Sequence, residues 1–411
     1  MTADVVVIGG GFAGLTAARD LAAAGRSVVV LEARSRLGGR TWYRPFGDTD
    51  VNVELGGAWF SLARQRPLAK EVERYGMSVA HVPDRRRRRW YTGGVLRRGR
   101  PVPMGEFAVL RQTLADIAAR ASRAGRGDDV SVADWMSPLG VPRATRDFVL
   151  AWASFMSGAD PSAVSMLEVL ALVGEGDGSP GSLADEIGEQ LEGGTQVLLD
   201  ALVADSGAEI KLGSPVVRVE QPAGSVSVIL ADGAKADAAA AVVAVPLNTL
   251  PAIEFDPPLD DALAALAAEG HPGRSRKLWL LADGVPEGLA CLGFGTPFQW
   301  LSWEGRVEDT SLLVGFAHED IPDPEAAVCD YVPGARVLAV DGHDWVGDPW
   351  ARGTWLTSRP GWTATGSLHG FAERHGRLVF AGSDVAEKHP GWIAGAVASG
   401  RAASRRVLGV R

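Results

Sequence analysis

The stretch Asp4-Val5-Val6-Val7-Ile8-Gly9-Gly10-Gly11-Phe12-Ala13-Gly14 decides the fold of this chain. Residues 5–8 are β-branched and apolar throughout, the pattern of a strand buried on both faces. Gly9-Gly10-Gly11-Phe12-Ala13-Gly14 then matches G-x-G-x-x-G. A helical pattern runs from about residue 12 to residue 24 and stops at Gly25, which suits a C-terminal cap. Residues 27–31 read as a second buried strand, and it ends on Glu32. Each glycine has a task in such a unit. Gly9 permits the tight turn, Gly11 lets backbone approach a pyrophosphate, and Gly14 lets the helix pack close to the strand. The free N–H groups around Phe12 and Ala13, with about half a unit of positive dipole charge, face the phosphates. Glu32 lies 18 residues past Gly14, where a carboxylate accepts hydrogen bonds from ribose hydroxyls. That acid argues against a 2′-phosphorylated nucleotide, since like charges would meet. FAD and NAD remain.

The following blocks separate the two. Glu32-Ala33-Arg34-Ser35-Arg36-Leu37-Gly38-Gly39-Arg40-Thr41 leads on to Glu54-Leu55-Gly56-Gly57-Ala58-Trp59. Further along come Gly193-Gly194-Thr195-Gln196, Pro215-Val216, Val245-Pro246-Leu247, Phe380-Ala381-Gly382-Ser383-Asp384 and Gly391-Trp392-Ile393-Ala394-Gly395-Ala396. These blocks resemble, in order and over nearly the whole chain, those of the flavin-containing amine oxidases. That family includes monoamine, polyamine and L-amino acid oxidases. The resemblance implies FAD, an α/β fold with a Rossmann-like FAD-binding domain, and an interleaved α+β substrate domain of mixed sheet and helices. It places the FAD-binding domain at residues 1–77, 192–266 and 348–411, and the substrate domain at 78–191 and 267–347. The alternation between residues 212 and 245 reads as a meander. Residues 104–124, 144–156 and 165–173 read as helices, with glycine-rich linkers at 125–129 and 174–181.

The resemblance also carries residue roles. Arg40, after Gly39, would set a guanidinium against the pyrophosphate. Ala33 and Arg34 follow the ribose acid, and Val216 resembles the valine whose backbone meets the adenine. Gly56, Gly57, Ala58 and Trp59 would lie along the isoalloxazine. Gly382, Ser383 and Asp384 would hold the flavin by hydrogen bonds, although Ser383 and Arg34 read equally well as turn residues. Gly391, Trp392, Ile393 and Ala396 would form a helix start at the pyrimidine end, where the dipole favours negative charge on the reduced ring.

Three residues carry the expected chemistry. Lys277, in Gly273-Arg274-Ser275-Arg276-Lys277, resembles the family's flavin-facing lysine, which holds a water. Burial would drive it towards the neutral amine. Trp355 and Trp392 take the places of the two aromatics that cage the amine, with Trp345 upstream. An ordinary surface lysine is the plain alternative for Lys277, and core packing for the tryptophans, since the chain has 13 of them. The expected reaction passes a hydride from the amine α-carbon to flavin N5, giving an imine, with dioxygen returning the flavin and forming hydrogen peroxide.

Several departures from the family pattern bear on this reading. Thr354 stands where monoamine oxidases carry the cysteine that bonds the flavin, so FAD is expected to be non-covalent. Asp384 replaces a glutamate, and Ala394 replaces an acid. Trp59 stands near where L-amino acid oxidases carry a carboxylate-clamping arginine, which favours a simple amine; Arg64, Arg66 or a second-lobe arginine are the alternative clamps. The rival readings are an L-amino acid oxidase, a desaturase or biosynthetic oxidase acting on a complex intermediate, and a flavin-binding protein without turnover.

Bulk composition narrows the partners. With 411 residues the chain exceeds one ordinary core. Its net charge of −9 argues against nucleic acid. No apolar run reaches the roughly 18 residues of a membrane helix, and neither a targeting segment nor a metal site is expected. The two cysteines, Cys291 and Cys329, fit a reduced, cytoplasmic protein, although one bridge between them stays open. The partners expected are therefore a small amine and molecular oxygen. Oligomeric state is left open, a homodimer included. The arginines at 85–89 read as a solvated loop or strand edge.

Overall fold

In the computed structural model, residues 1–121, 129–175, 187–365 and 367–409 are described. The linkers expected at 125–129 and 174–181 fall largely outside them, as does the end of the helix expected over 104–124.

β1 (Thr2–Ile8), α1 (Phe12–Ala23) and β2 (Val28–Leu31) make the opening βαβ unit, with the two strands parallel. β1 pairs on its other side with Lys235–Val243, also in parallel, and that strand takes Leu378–Phe380 as a further parallel neighbour. Glu209–Lys211 extends the sheet beyond β2. The alternating stretch between residues 212 and 245 becomes Val216–Glu220, Val226–Leu230 and Lys235–Val243, joined antiparallel. One nine-stranded sheet results. The C-terminal helix, Ile393–Leu408, lies against α1. Gly400 allows this close packing, since a Cβ there would stand 2.3 Å from the Ala13 oxygen, while Gly14 lets α1 lie against the end of β1, where a Cβ would stand 2.0 Å from the Gly9 oxygen.

A second, seven-stranded sheet is built from Arg276–Asp283, Leu289–Gly293, Trp300–Val307, Thr310–Ala317 and Arg336–Gly342, with Arg87–Thr92 and Val95–Arg98 added at one side. One face packs on the helices Phe107–Ala121, Arg143–Ser157 and Met166–Glu175 through a core that includes Phe148, Phe155, Trp300 and Phe316. The other face closes over Pro324–Cys329.

The arginine run departs from its reading. Residues 87–89 lie in a strand that has neighbours on both sides. Arg85 is largely buried, paired with Glu304 at 3.0 Å and stacked on Trp59 and Trp300. Arg89 donates to the Tyr331 carbonyl, while Arg86, Arg87 and Arg88 remain exposed. Cys291 and Cys329 are both free. Among the described residues, no helix is long and apolar enough to cross a membrane.

Candidate active site

A continuous cavity of about 480 Å³ starts at the turn after β1 and ends between the two sheets. Its first part is lined by Gly9, Gly11, Phe12 and Ala13 from the βα turn, by Glu32, Ala33 and Arg34 from the end of β2, and by Val216. Glu32 is buried there, held by the Gly10 N–H at 2.7 Å and the Arg34 N–H at 2.9 Å. Gly11 and Gly39 approach each other backbone to backbone. A Cβ on either would meet only the other's Cα, at 3.9 and 3.6 Å. Neither glycine puts a side chain between its backbone and the cavity, and the N–H groups at the start of α1 supply donors for a pyrophosphate beside them. Gly57 likewise has nothing nearer than 3.8 Å where its side chain would be. The residues present therefore fit an FAD.

Further in, Arg40, Gly56, Gly57, Ala58, Trp59, Gly382, Ser383, Gly391, Trp392, Ile393 and Ala396 continue the lining. Trp392 is the residue before the first turn of helix Ile393–Leu408, so that turn's unpaired N–H groups lie at the cavity wall. Trp345 also borders the cavity, its indole N–H on the Leu55 carbonyl at 3.0 Å. Two expected cofactor residues stand behind the wall instead. Gly14 packs against Gly9 and Val7. Asp384 is buried, and its carboxylate is occupied by Arg40 at 2.6 Å and by the Leu247 N–H at 3.0 Å. Arg40 itself lines the cavity, and its guanidinium also holds Asp384, Ser383 and the Thr354 carbonyl. Asp384 therefore reaches the cavity through Arg40. Burial raises its carboxyl, but Arg40 outweighs that and holds it below the usual range.

The inner end is a chamber. Lys277, on strand Arg276–Asp283, is buried and donates to the Gly56 carbonyl at 3.0 Å. Its Nζ lies 5.0 Å from the Trp59 ring, 5.4 Å from Trp279 and 6.0 Å from Phe316. Burial pushes this ammonium down to about 8, against the pull of Glu54 and Glu304. Glu54 is itself raised by burial, opposed by Thr195 and Lys277. Trp355 and Trp392 both border the chamber. The Trp355 indole donates to the Met156 carbonyl at 3.0 Å and meets Phe316 edge-on at 6.2 Å. Gly158 makes room for it, since a Cβ there would sit 2.5 Å from the indole.

Sequence reasoning missed Phe155, Met156, Glu168, Ile187 and Phe316 in this chamber, and Val217, Pro349 and Trp350 at the adenine end. None carries a motif signal; in their helices, strands and loops they read as ordinary packing. Arg64 and Arg66 do not line the cavity. Among its described lining residues the arginines are Arg34, Arg40 and Arg352, none of them a chamber residue.

The comparisons with known proteins bear on this geometry. The profile described as flavin containing amine oxidoreductase matches residues 12–408. The chain belongs to this family. It is 33% identical to pseudooxynicotine dehydrogenase of a Pseudomonas species, over 97% of this chain and 84% of that one. It is 31% identical to (S)-6-hydroxynicotine oxidase of Paenarthrobacter nicotinovorans, over 98% and 99% of the two. Its fold superposes on cyclohexylamine oxidase from Brevibacterium oxydans with a TM-score of 0.83, at 23% identity and 99% coverage of both chains. As a flavin-containing amine oxidoreductase, the protein is an FAD-dependent enzyme acting on CH–NH or CH–NH2 groups, with FAD held non-covalently. Thr354, expected at the place of a covalent cysteine, has its hydroxyl engaged by the Ser275 N–H at 3.3 Å.

Proposed function

We propose that this enzyme oxidises an amine carrying an aryl or cycloalkyl group, with dioxygen as the acceptor. The observation that carries the reading is the chamber: Trp59, Phe155, Met156, Ile187 and Phe316 give it apolar walls, and no arginine among its described lining residues offers a carboxylate clamp. The names of two relatives denote nicotine-derived amines and point the same way.

FAD, when bound, supplies the acceptor for the hydride leaving the amine α-carbon, so that an imine is released and dioxygen carries the electrons away as hydrogen peroxide. The chain's own residues do the rest. Trp355 and Trp392 present indole faces that orient the neutral amine nitrogen. Lys277, partly neutral because of its burial, keeps a hydrogen bond to Gly56 and retains a lone pair for a water. Arg40 and Glu32 fix the phosphate and ribose ends. The apolar walls exclude bulk water, which favours imine release before hydrolysis. On this reading residues 1–77, 192–266 and 348–411 form the FAD-binding domain, and 78–191 with 267–347 the substrate domain. Two free thiols fit a reducing, cytoplasmic setting.

Mixing the holoenzyme with a panel of amines in the absence of oxygen tests the proposal. Bleaching of the flavin by aryl- or cycloalkylamines, followed by peroxide on admitting air, is expected. Bleaching only by polyenes or larger biosynthetic intermediates would assign a different substrate, and no bleaching at all would make the protein a flavin carrier. Bleaching by amines without peroxide on aeration would replace dioxygen by another acceptor.

A further inference from the structure

Glu168 is an acid that the mechanism above does not use. It lies in the first turn of helix Met166–Glu175, closely enclosed by protein, yet it keeps accessible surface and borders the same cavity. Its protein donors are neutral: the Thr357 hydroxyl at 2.8 Å, and the N–H and hydroxyl of Ser358. Among the described residues no cation faces it; the nearest charge is Asp129, which is of like sign. A carboxylate has about four acceptor directions, and these donors leave about one free. Burial drives this carboxyl towards its neutral form, and a cation placed beside it would restore the carboxylate.

The position on the chamber wall follows from the chain. Thr357 and Ser358 come directly after Trp355 and Leu356, both cavity residues. Trp355 is tied to Met156, whose helix Arg143–Ser157 packs in the same core as the Glu168 helix. A cation that pairs with it is not the nitrogen being oxidised, because that nitrogen must dock neutral for its α-carbon to lose a hydride. It must be a second one.

We infer that Glu168 receives a second, positively charged nitrogen of the substrate. This rests on the amine-oxidation reading and narrows it: the enzyme takes amines with an apolar middle and a second basic nitrogen, either a terminal ammonium or a protonated saturated ring nitrogen.

The test follows flavin reduction in the anaerobic holoenzyme by stopped flow, with matched pairs of amines. Para-xylylenediamine is set against para-ethylbenzylamine, and aminomethylpiperidine against cyclohexylmethylamine. The wild type should bind at least one dication about tenfold or more tightly than its monoamine match, and the winning pair identifies the source of the charge. Glu168→Gln should abolish that margin and leave the monoamine constant within about twofold, with the limiting rate little changed; Glu168→Asp should retain part of it. Equal binding of both members by the wild type would overturn the inference, whether or not the variants fold. Equal weakening of both members in Glu168→Gln would also overturn it, since that is the signature of a purely structural bond to Thr357 and Ser358. Should no amine reduce the flavin, the amine-oxidation reading fails separately. The inference is then decided by whether the dication perturbs the flavin absorbance of the wild type and not of Glu168→Gln; no perturbation in the wild type overturns it.

Discussion

Replacing Lys277 by methionine separates the cost of burying this charge from every other contribution of the site. The ammonium is pushed from 10.5 to about 8 by its surroundings. A base whose folded value lies below its unfolded one is penalised wherever both states are charged, here below about pH 8. The penalty fades as pH rises through 8 towards 10.5. Near pH 7 it amounts to about 3 kcal/mol, and about 2 kcal/mol of that is gone near pH 9.5. Methionine removes the charge and also the bond to the Gly56 carbonyl. Losing that bond costs about 1–3 kcal/mol, but this cost does not change with pH. The difference in unfolding free energy between Lys277→Met and wild type should therefore move by about 2 kcal/mol in favour of the wild type between pH 7 and pH 9.5. Urea unfolding of the two holoenzymes at saturating FAD, followed at a series of pH values, measures it. In parallel, the limiting rate of flavin reduction by a saturating amine should rise with an inflection near pH 8 in the wild type. That inflection should be missing in Lys277→Met. A stability difference that stays constant over the interval would refute the claim that this lysine is desolvated, and a persistent inflection in the variant would assign the titration to another group.

Three further substitutions probe the supports of the site. Gly11→Ala adds a methyl that meets only Gly39 at 3.9 Å in the protein, so thermal stability without FAD should hold while retained flavin falls severalfold; full yellow colour after gel filtration would contradict a pyrophosphate seated against Gly11. Asp384→Asn leaves Arg40 without its buried counter-ion, a loss of about 3–5 kcal/mol, seen as lower stability and weaker FAD retention. Because the Asp384 carboxyl is held below its usual range, its contribution stands at neutral pH and is lost only as pH falls through that lowered value, so the wild type should keep flavin to about pH 4. Arg85→Met strands Glu304, whose side chain is 5% exposed; it should destabilise by about 3–5 kcal/mol, with the Arg85→Met, Glu304→Met pair recovering most of it in the same melts.

What could be read in the sequence follows the separation of the interacting parts. The dinucleotide cradle is local: strand, glycines, helix and acid fall within residues 4–32, and their spacing alone implies a ligand. The chamber is assembled from residues far apart in the chain. Lys277 meets Gly56 across 221 positions, Trp345 meets Leu55 across 290, and Arg40 meets Asp384 across 344. Family motifs locate some of these partners but not their contacts, which is how Asp384 was assigned to the cofactor when Arg40 stands between them. Phe155 and Phe316 carry no sign of function at all, because an aromatic facing a ligand and one facing the core follow the same period. Glu168 shows the limit most sharply. With Ser165 three residues before it, whose hydroxyl accepts the Glu168 N–H at 3.2 Å, it reads as an ordinary helix-start acid of the S-x-x-E type. In the fold its carboxylate turns instead to Thr357 and Ser358, 189 and 190 positions away. A residue that satisfies a local rule in the sequence and a distant contact in the structure is hidden by the local rule, and the cavity beside it is what reveals the second role.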